Sequence, residues 1–410
     1  VRPMKLVLKA DRLIDGTGSE LLVNAALVIE GKKITGITSQ DKLDFHPDEE
    51  ITVIDSENST IMPGFVEAHS HMHCSAEPNA YDQVTTETDE VLLMRAVEAM
   101  RSSLHSGVTT IRDLGSKNQI AFPIRKAIED GIIKGPRLLV AGTPITTTSG
   151  HCNMFGTEAD TSDEVIKAIR AQVKRGADCI KIMSTGGRFT PRSNIRAAQY
   201  PVETLIKAVK DAERLEVQVS AHCHGAAGVR NCVEAGIHNL IHCSWISEDP
   251  SKLYDYDPNV ADQIAEKGLY VDPTLATGYM RQFRDNDIKI DYEAANQRYE
   301  ILRDMWDRGV TFVSGLDTGM AHVRFGDFAY TPQLMVEKLD ITPADTIVTC
   351  TKTTAECLGV IKETGTLEKD KYADVVIVPG NPLEDITVMH RVDSIIKQGE
   401  IIKQNGLFID

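Results

Sequence analysis

The sequence predicts an α/β protein: a (β/α)8 TIM barrel carrying a small β-sandwich domain that both chain termini build together. Three observations point there. Short apolar runs alternate with helical stretches through the middle of the chain, eight such runs can be counted, and both flanks hold strands with no amphipathic helix among them. A chain of 410 residues is also longer than one simple core supports.

The N-terminal flank places β-rich runs at Lys5 to Leu8, Ala25 to Glu30 and Ile51 to Ile54, with a turn at Gly31-Lys32-Lys33. The C-terminal flank repeats the pattern at Ala373 to Gly380 and Ser394 to Ile402, around an Asn381-Pro382 turn. Neither flank has enough strands for its own core. Residues 1–60 plus 360–410 are therefore expected to form one composite domain, and residues 61–359 the barrel. The eight barrel strands are expected at Ile61 to His71, Val108 to Leu114, Pro136 to Gly142, Cys179 to Met183, Val217 to Cys223, Asn239 to Ser244, Tyr270 to Leu275 and Thr311 to Asp317. Helices fill the gaps at Thr88 to His105, Gln119 to Asp130, Ser162 to Arg175, Val202 to Leu215, Ala226 to Ala235, Asn259 to Lys267 and Tyr292 to Asp307, with two more after the eighth strand.

Composition narrows the classes. Hydrophobic residues at 42% and charged residues at 25% are ordinary for a globular protein. A formal net charge of -16 repels phosphate backbones and no Lys/Arg-rich run interrupts it, which sets the sequence against nucleic acid as a partner. No apolar run approaches the ~20 residues that span a bilayer, and the N-terminus lacks a signal-peptide pattern. A soluble, cytoplasmic protein without membrane contacts is expected, assembled as a homo-oligomer. The eight cysteines are sparse and show no CxxC spacing, so free thiols are expected. Four of them directly follow a histidine: Cys74, Cys152, Cys223 and Cys243. If His222 and His242 face a site, Cys223 and Cys243 face away from it as packing groups.

The chemistry-bearing residues fall at strand ends. In Ile61 to His71, His69 and His71 stand two residues apart, so period 2 turns both imidazoles to one side and makes half of a divalent metal site. Lys181 sits inside the apolar fourth strand, where an unpaired ammonium costs several kcal/mol. Either it pairs with a neighbouring carboxylate or it has lost its charge and become a metal ligand. His222 and His242 end the fifth and sixth strands, and Asp317 ends the eighth, as an acid/base or as a plain helix cap.

At these residues the chain resembles the amidohydrolase superfamily, in the branch with prolidases, arginine or lysine carboxypeptidases and imidazolonepropionases. The elements that match are PGFVEAHSH, VTTIRDLG, GADCIKIM, AHCHG, NLIHC, GLDTG and the terminal GTLEKDKYADVVIVPGNPL. The resemblance implies two divalent metal ions, Zn²⁺ in kind: His69, His71 and Asp317 on one, His222 and His242 on the other, bridged by a carboxylated Lys181. It further implies hydrolysis of a C–N bond, with Asp317 moving the proton. Deaminases and imidazolonepropionases usually use one metal and lack the bridging lysine, and a non-catalytic scaffold would have lost ligands that are all present here.

For the substrate, a small molecule or dipeptide is expected, Xaa-Pro first and Xaa-Arg or Xaa-Lys next. The runner-up is a non-peptide amide, urea or carbamate. His151 resembles the Gly-His of the peptidase branch, and His224 lies just past the fifth strand. Arg188, Arg192 and Arg196 follow the lysine strand and could hold a carboxylate bidentately, or simply be solvated surface. His322 and Arg324 have the same standing. His73 extends the first motif but overruns the strand end. The sixth-strand run reads Leu240-Ile241-His242-Cys243-Ser244-Trp245 where many relatives have Glu-His followed by Gly, and the bulky Trp245 is expected to front the mouth of an altered pocket.

Overall fold

The computed structural model describes residues 5–45, 50–285, 289 and 291–409. The chain divides into two compact units: Val1–Glu67, Arg101–Thr110 and Gly326–Asp410 form one, and Ala68–Met100 with Ile111–Phe325 form the other.

In the first unit the two termini share one eight-stranded sheet. Its N-terminal members are β1 (Lys5–Leu13), β2 (Leu22–Glu30), β3 (Lys33–Ser39) and β4 (Ile51–Pro63). After β4 the chain continues with β5 (Phe65–Ser70), β6 (Val108–Asp113), β7 (Arg137–Val140), β8 (Ile145–Thr146), β9 (Thr157–Glu158), β10 (Cys179–Met183), β11 (Gln218–Gly225), β12 (Asn239–Ile246), β13 (Tyr270–Asp272) and β14 (Thr311–Phe312). The C-terminal strands are β15 (Val375–Pro379), β16 (Ser394–Lys397), β17 (Glu400–Gln404) and β18 (Leu407–Phe408). The sheet order is β18-β17-β16-β15-β4-β1-β2-β3, with β15 antiparallel to β4 so that Ile377 opposes Ile61. Alternate residues Leu6, Leu8 and Ala10 of β1 and Ala25, Leu27 and Ile29 of β2 enter one buried cluster with Ile61, Val375 and Ile377.

The run expected as one strand from Ile61 to His71 is broken at Gly64. A Cβ there would stand 2.1 Å from Thr109 Oγ1, so only glycine lets the chain pass and leave the terminal sheet.

The remaining strands are parallel. β14-β13-β12-β11-β10-β8-β9 form a seven-stranded sheet and β5-β6-β7 a three-stranded one. Their backbones meet at both margins: Asp178 N–H donates to Val140 O at 2.8 Å, Ala68 N–H to Ser314 O at 2.8 Å, and Ser70 bridges Thr318 in parallel. The intervening helices are α1 (Ala80–Thr86), α2 (Asp89–His105), α3 (Ala121–Glu129), α4 (Ser162–Lys174), α5 (Val202–Arg214), α6 (Ala226–Ala235), α7 (Pro258–Glu266), α8 (Leu275–Tyr279) and α9 (Tyr292–Asp307). Their starts follow local chemistry. Thr161 and Glu164 make a reciprocal capping box for α4, Asp257 caps α7 with Pro258 in its first turn, and Asp291 caps α9. The helices α1 and α8 and the short pair β8 and β9 were not expected. The eighth strand is shorter than expected, ending at Phe312, although the backbone at Ser314 and Asp317, the latter at a left-handed φ of 65°, still bonds to the first strand. Among the described residues no helix is long and apolar enough to cross a membrane.

Candidate active site

Parallel pairing sets the site. On β10 and β11, Lys181 opposes Ser220 and Met183 opposes His222; on β11 and β12, Cys223 opposes His242. Two groups of converging ligand atoms result: His69, His71 and Asp317, and His222, His224 and His242, each drawn within 4.8 Å. All six are buried except His224, which is partly so.

Each imidazole is fixed through one ring nitrogen, which leaves the other for a ligand. His69 Nδ1 donates to Asp272 Oδ2 at 3.0 Å, His71 Nδ1 to Gly115 O at 2.8 Å, and His222 Nε2 to Gly186 O at 3.0 Å. His242 Nδ1 pairs with Thr274 Oγ1 at 2.9 Å and His224 Nδ1 with Ser244 Oγ at 2.8 Å. The carboxylate and carbonyl acceptors lock the tautomers of His69, His71 and His222, whereas the hydroxyls of Thr274 and Ser244, able to donate or accept, orient His242 and His224. Burial pushes His69, His222, His224 and His242 below the ordinary imidazole range, so the neutral, ligand-competent form is the resting one.

Asp317 Oδ1 lies 3.2 Å from His69 Nε2 and 3.4 Å from His71 Nε2. Burial alone would raise its carboxyl; the neighbouring His69, His71 and Lys181 outweigh that and hold it well below the usual carboxylate range. Lys181 is 1% exposed, and its Nζ has no hydrogen-bond partner among the described residues. Burial brings its pKa down to about 8. An amine so placed, with no carboxylate bonded to it, departs from the paired-lysine reading. The two groups, their oriented imidazoles and the orphaned Nζ fit a site for divalent cations.

Backbone strain gathers here as well. His242 and Asp317 hold φ of 69° and 65°, and Thr274 of 45°. Gly315 is required two residues before Asp317, since a Cβ there would stand 2.1 Å from Asp272 Oδ2.

Of the other residues read from the sequence, His151 joins the site: it is 4% exposed, its ring centroid is 4.5 Å from that of His222, and burial lowers its pKa to about 3. His224 joins it too, stacked at 4.2 Å on His242. Arg188 is exposed on the loop after β10. Arg196 is engaged elsewhere, donating through Nη1 to the carbonyl oxygens of Ser247 and Lys252. His322 pairs through Nδ1 with Asp285 at 3.1 Å and belongs to neither ligand group. Trp245 does not front a mouth. It is fully buried, with its indole N–H 3.3 Å from Met305 of α9, because Ser244 takes the inward position beside His224 and its neighbour must face out. His73 is buried with its ring 4.9 Å from that of Phe155.

Sequence reasoning missed Asp272, Asp113, Thr274 and Arg298. Asp113 accepts from Met72 N, Gly115 N and Ser116 Oγ and so shapes the turn after His71. Arg298 donates to the carbonyls of Cys243 and His242 and pins the strained end of β12. Asp113 and Asp272 were within reach of the strand-end rule applied to Asp317; Arg298, on the polar pattern of α9, gives no such signal.

A curated relative, ochratoxinase of Aspergillus niger, is 28% identical over 98% of this chain and 87% of its own length. Among solved structures, a Xaa-Pro dipeptidase with methionine in its active site superposes with a TM-score of 0.85 at 27% identity, covering 97% of this chain and 100% of that one. The A. niger ochratoxinase crystal structure gives 0.86 at 27% identity, covering 99% and 97%. The amidohydrolase family model matches residues 60–402, and this chain belongs to the amidohydrolase family, as a hydrolase acting on carbon–nitrogen bonds.

Proposed function

We propose that the chain is a dinuclear metal-dependent amidohydrolase that cleaves the C–N bond of a small amide. The observation that carries this is Lys181 Nζ, buried without a hydrogen-bond partner among the described residues and close enough for its charge to act on His69, His151, His222, His242 and Asp317. His69, His71 and Asp317 would hold one cation and His222 with His242 the other. Lys181 as its carbamate would bridge them, and Zn²⁺ suits the imidazole-rich set. Bound cations supply an activated water near neutral pH and polarise the scissile carbonyl. Asp317, kept ionised by its neighbours, accepts the proton at its carboxylate and passes it to the leaving nitrogen. His151 and His224 are assigned to the substrate.

The proposed framework is a closed (β/α)8 barrel over residues 61–359 and a composite terminal β-sandwich domain, residues 1–60 plus 360–410. Supporting closure are the backbone bonds at both sheet margins, from Asp178 to Val140 and from Ala68 to Ser314. A small molecule is the proposed partner, in keeping with a net charge of -16.

Dipeptides of Xaa-Pro type, then Xaa-Arg or Xaa-Lys, are the first substrates to assay, supported by His151 in the site and by likeness to a Xaa-Pro dipeptidase. Arg196, tied to backbone carbonyls, favours the second reading of an uncharged amide, urea or carbamate. Metal-loaded protein assayed with dipeptides beside aryl amides, ureas and carbamates separates the two. Turnover of dipeptides supports the first, and turnover of the uncharged set alone supports the second.

A further inference from the structure

We propose that an aryl-binding subsite adjoins the His71 side of the site, so that the preferred substrate carries an aromatic or comparably large apolar group beside its scissile C–N bond. The inference rests on the hydrolase reading above and deepens it by naming the substrate class.

The wall begins at Phe155, whose ring centroid lies 6.0 Å from His71 and 4.9 Å from His73. Phe155 belongs to a buried cluster with Cys74, Val84, Cys152 and Met183, against which Met154, Phe189 and Met320 pack while only partly buried. Phe189 meets Phe155 edge-on at 6.4 Å, and half-buried Tyr81 meets Phe189 edge-on at 5.8 Å.

These side chains come from four different strand exits. Tyr81 stands on α1 after His71, Phe155 four residues after His151, Phe189 eight residues after Lys181, and Met320 three residues after Asp317. Loops on a protein surface are ordinarily polar. Four of them sending rings and thioethers to one partly open wall, continuous with a candidate metal ligand, leave apolar area that a substrate moiety can cover. Ring edges and sulfur favour an aryl occupant in particular, through edge-to-face and sulfur–aromatic contacts. A methyl side chain would leave most of the wall wet.

The test uses metal-loaded protein and matched substrates: phenylalanyl-proline against alanyl-proline, and N-acetylphenylalanine against N-acetylalanine. The aromatic member of at least one pair is expected to have a kcat/KM at least ~10-fold higher, chiefly through KM, and Phe189→Ala and Met320→Ala are each expected to cut that ratio at least ~3-fold. Ratios near one in both pairs, or ratios untouched in both variants, overturn the subsite. Calorimetry of free phenylalanine and alanine reads binding without turnover. If none of the four amides is cleaved, the reading as a hydrolase of small amides falls. Tighter binding of phenylalanine that is lost in Phe189→Ala then still upholds the subsite, and equal binding of the two amino acids overturns it.

Discussion

The two ligand groups differ in charge although both are built from strand-end histidines. The group of His69, His71 and Asp317 contains a carboxylate and leans on a second, Asp272, behind His69. The group of His222, His224 and His242 contains only imidazoles, and the partners fixing them are Gly186 O, Ser244 Oγ and Thr274 Oγ1, all neutral. A divalent cation in the second group would find no negative charge unless Lys181 supplies it, and an amine supplies it only after carboxylation. On the proposal above, Lys181, whose Nζ has no hydrogen-bond partner among the described residues, would as a carbamate complete the half that lacks a carboxylate.

The largest effect is expected from the carboxylate of the first group. Asp317→Asn keeps the shape but cannot carry a proton, so turnover should fall at least ~100-fold while substrate binding persists. Steady-state kinetics with metal analysis checks this, and near-native turnover at unchanged metal content would assign the proton to another group. Removing the support behind the first group comes next. Asp272→Asn should weaken metal binding by about 10- to 100-fold, the range for a partner of a ligating histidine. Ser244→Ala, which removes a neutral hydroxyl bonded to His224, should change it less; competition with a chelator ranks the two, and equal losses would erase the distinction between the groups.

A smaller effect follows from pH. With the Lys181 pKa near 8, metal-free protein holds about one tenth of this amine neutral at pH 7 and about nine tenths at pH 9. Only the neutral amine reacts with carbon dioxide, so at fixed dissolved carbon dioxide carboxylation should quicken about ten-fold over that interval. A flat profile, followed by carbon-13 labelling, would mean that burial does not control the lysine.

The same contrast governs what could be read from the sequence. His69, His71, Lys181, His222, His242 and Asp317 were legible because a parallel strand fixes which way each residue points, and all six come together as the strand-end rule requires. The helices α6 and α9 were legible to the residue, the first closed by the left-handed Gly236 just past its end and the second opened by the Asp291 cap. What lay beyond regular strands was not. Trp245 was misplaced although period 2 from His242 already turns Ser244 inward and Trp245 outward; the bond from Ser244 to His224 shows that alternation persisting through left-handed residues at His242, Cys243 and Trp245. Arg196 reads as a free cation in sequence, and only folding brings the Ser247 and Lys252 carbonyls to it. The break at Gly64 was hidden because Thr109, which forbids a side chain there, is distant in sequence.

The most direct test of the central claim is metal content together with the carbon-13 spectrum of protein loaded in labelled bicarbonate, for wild type and for Lys181→Ala. The account predicts about two divalent ions per chain and one carbamate carbon in the wild type, with the carbamate gone and metal occupancy and activity lowered together in the variant. Full dinuclear occupancy in Lys181→Ala would contradict it.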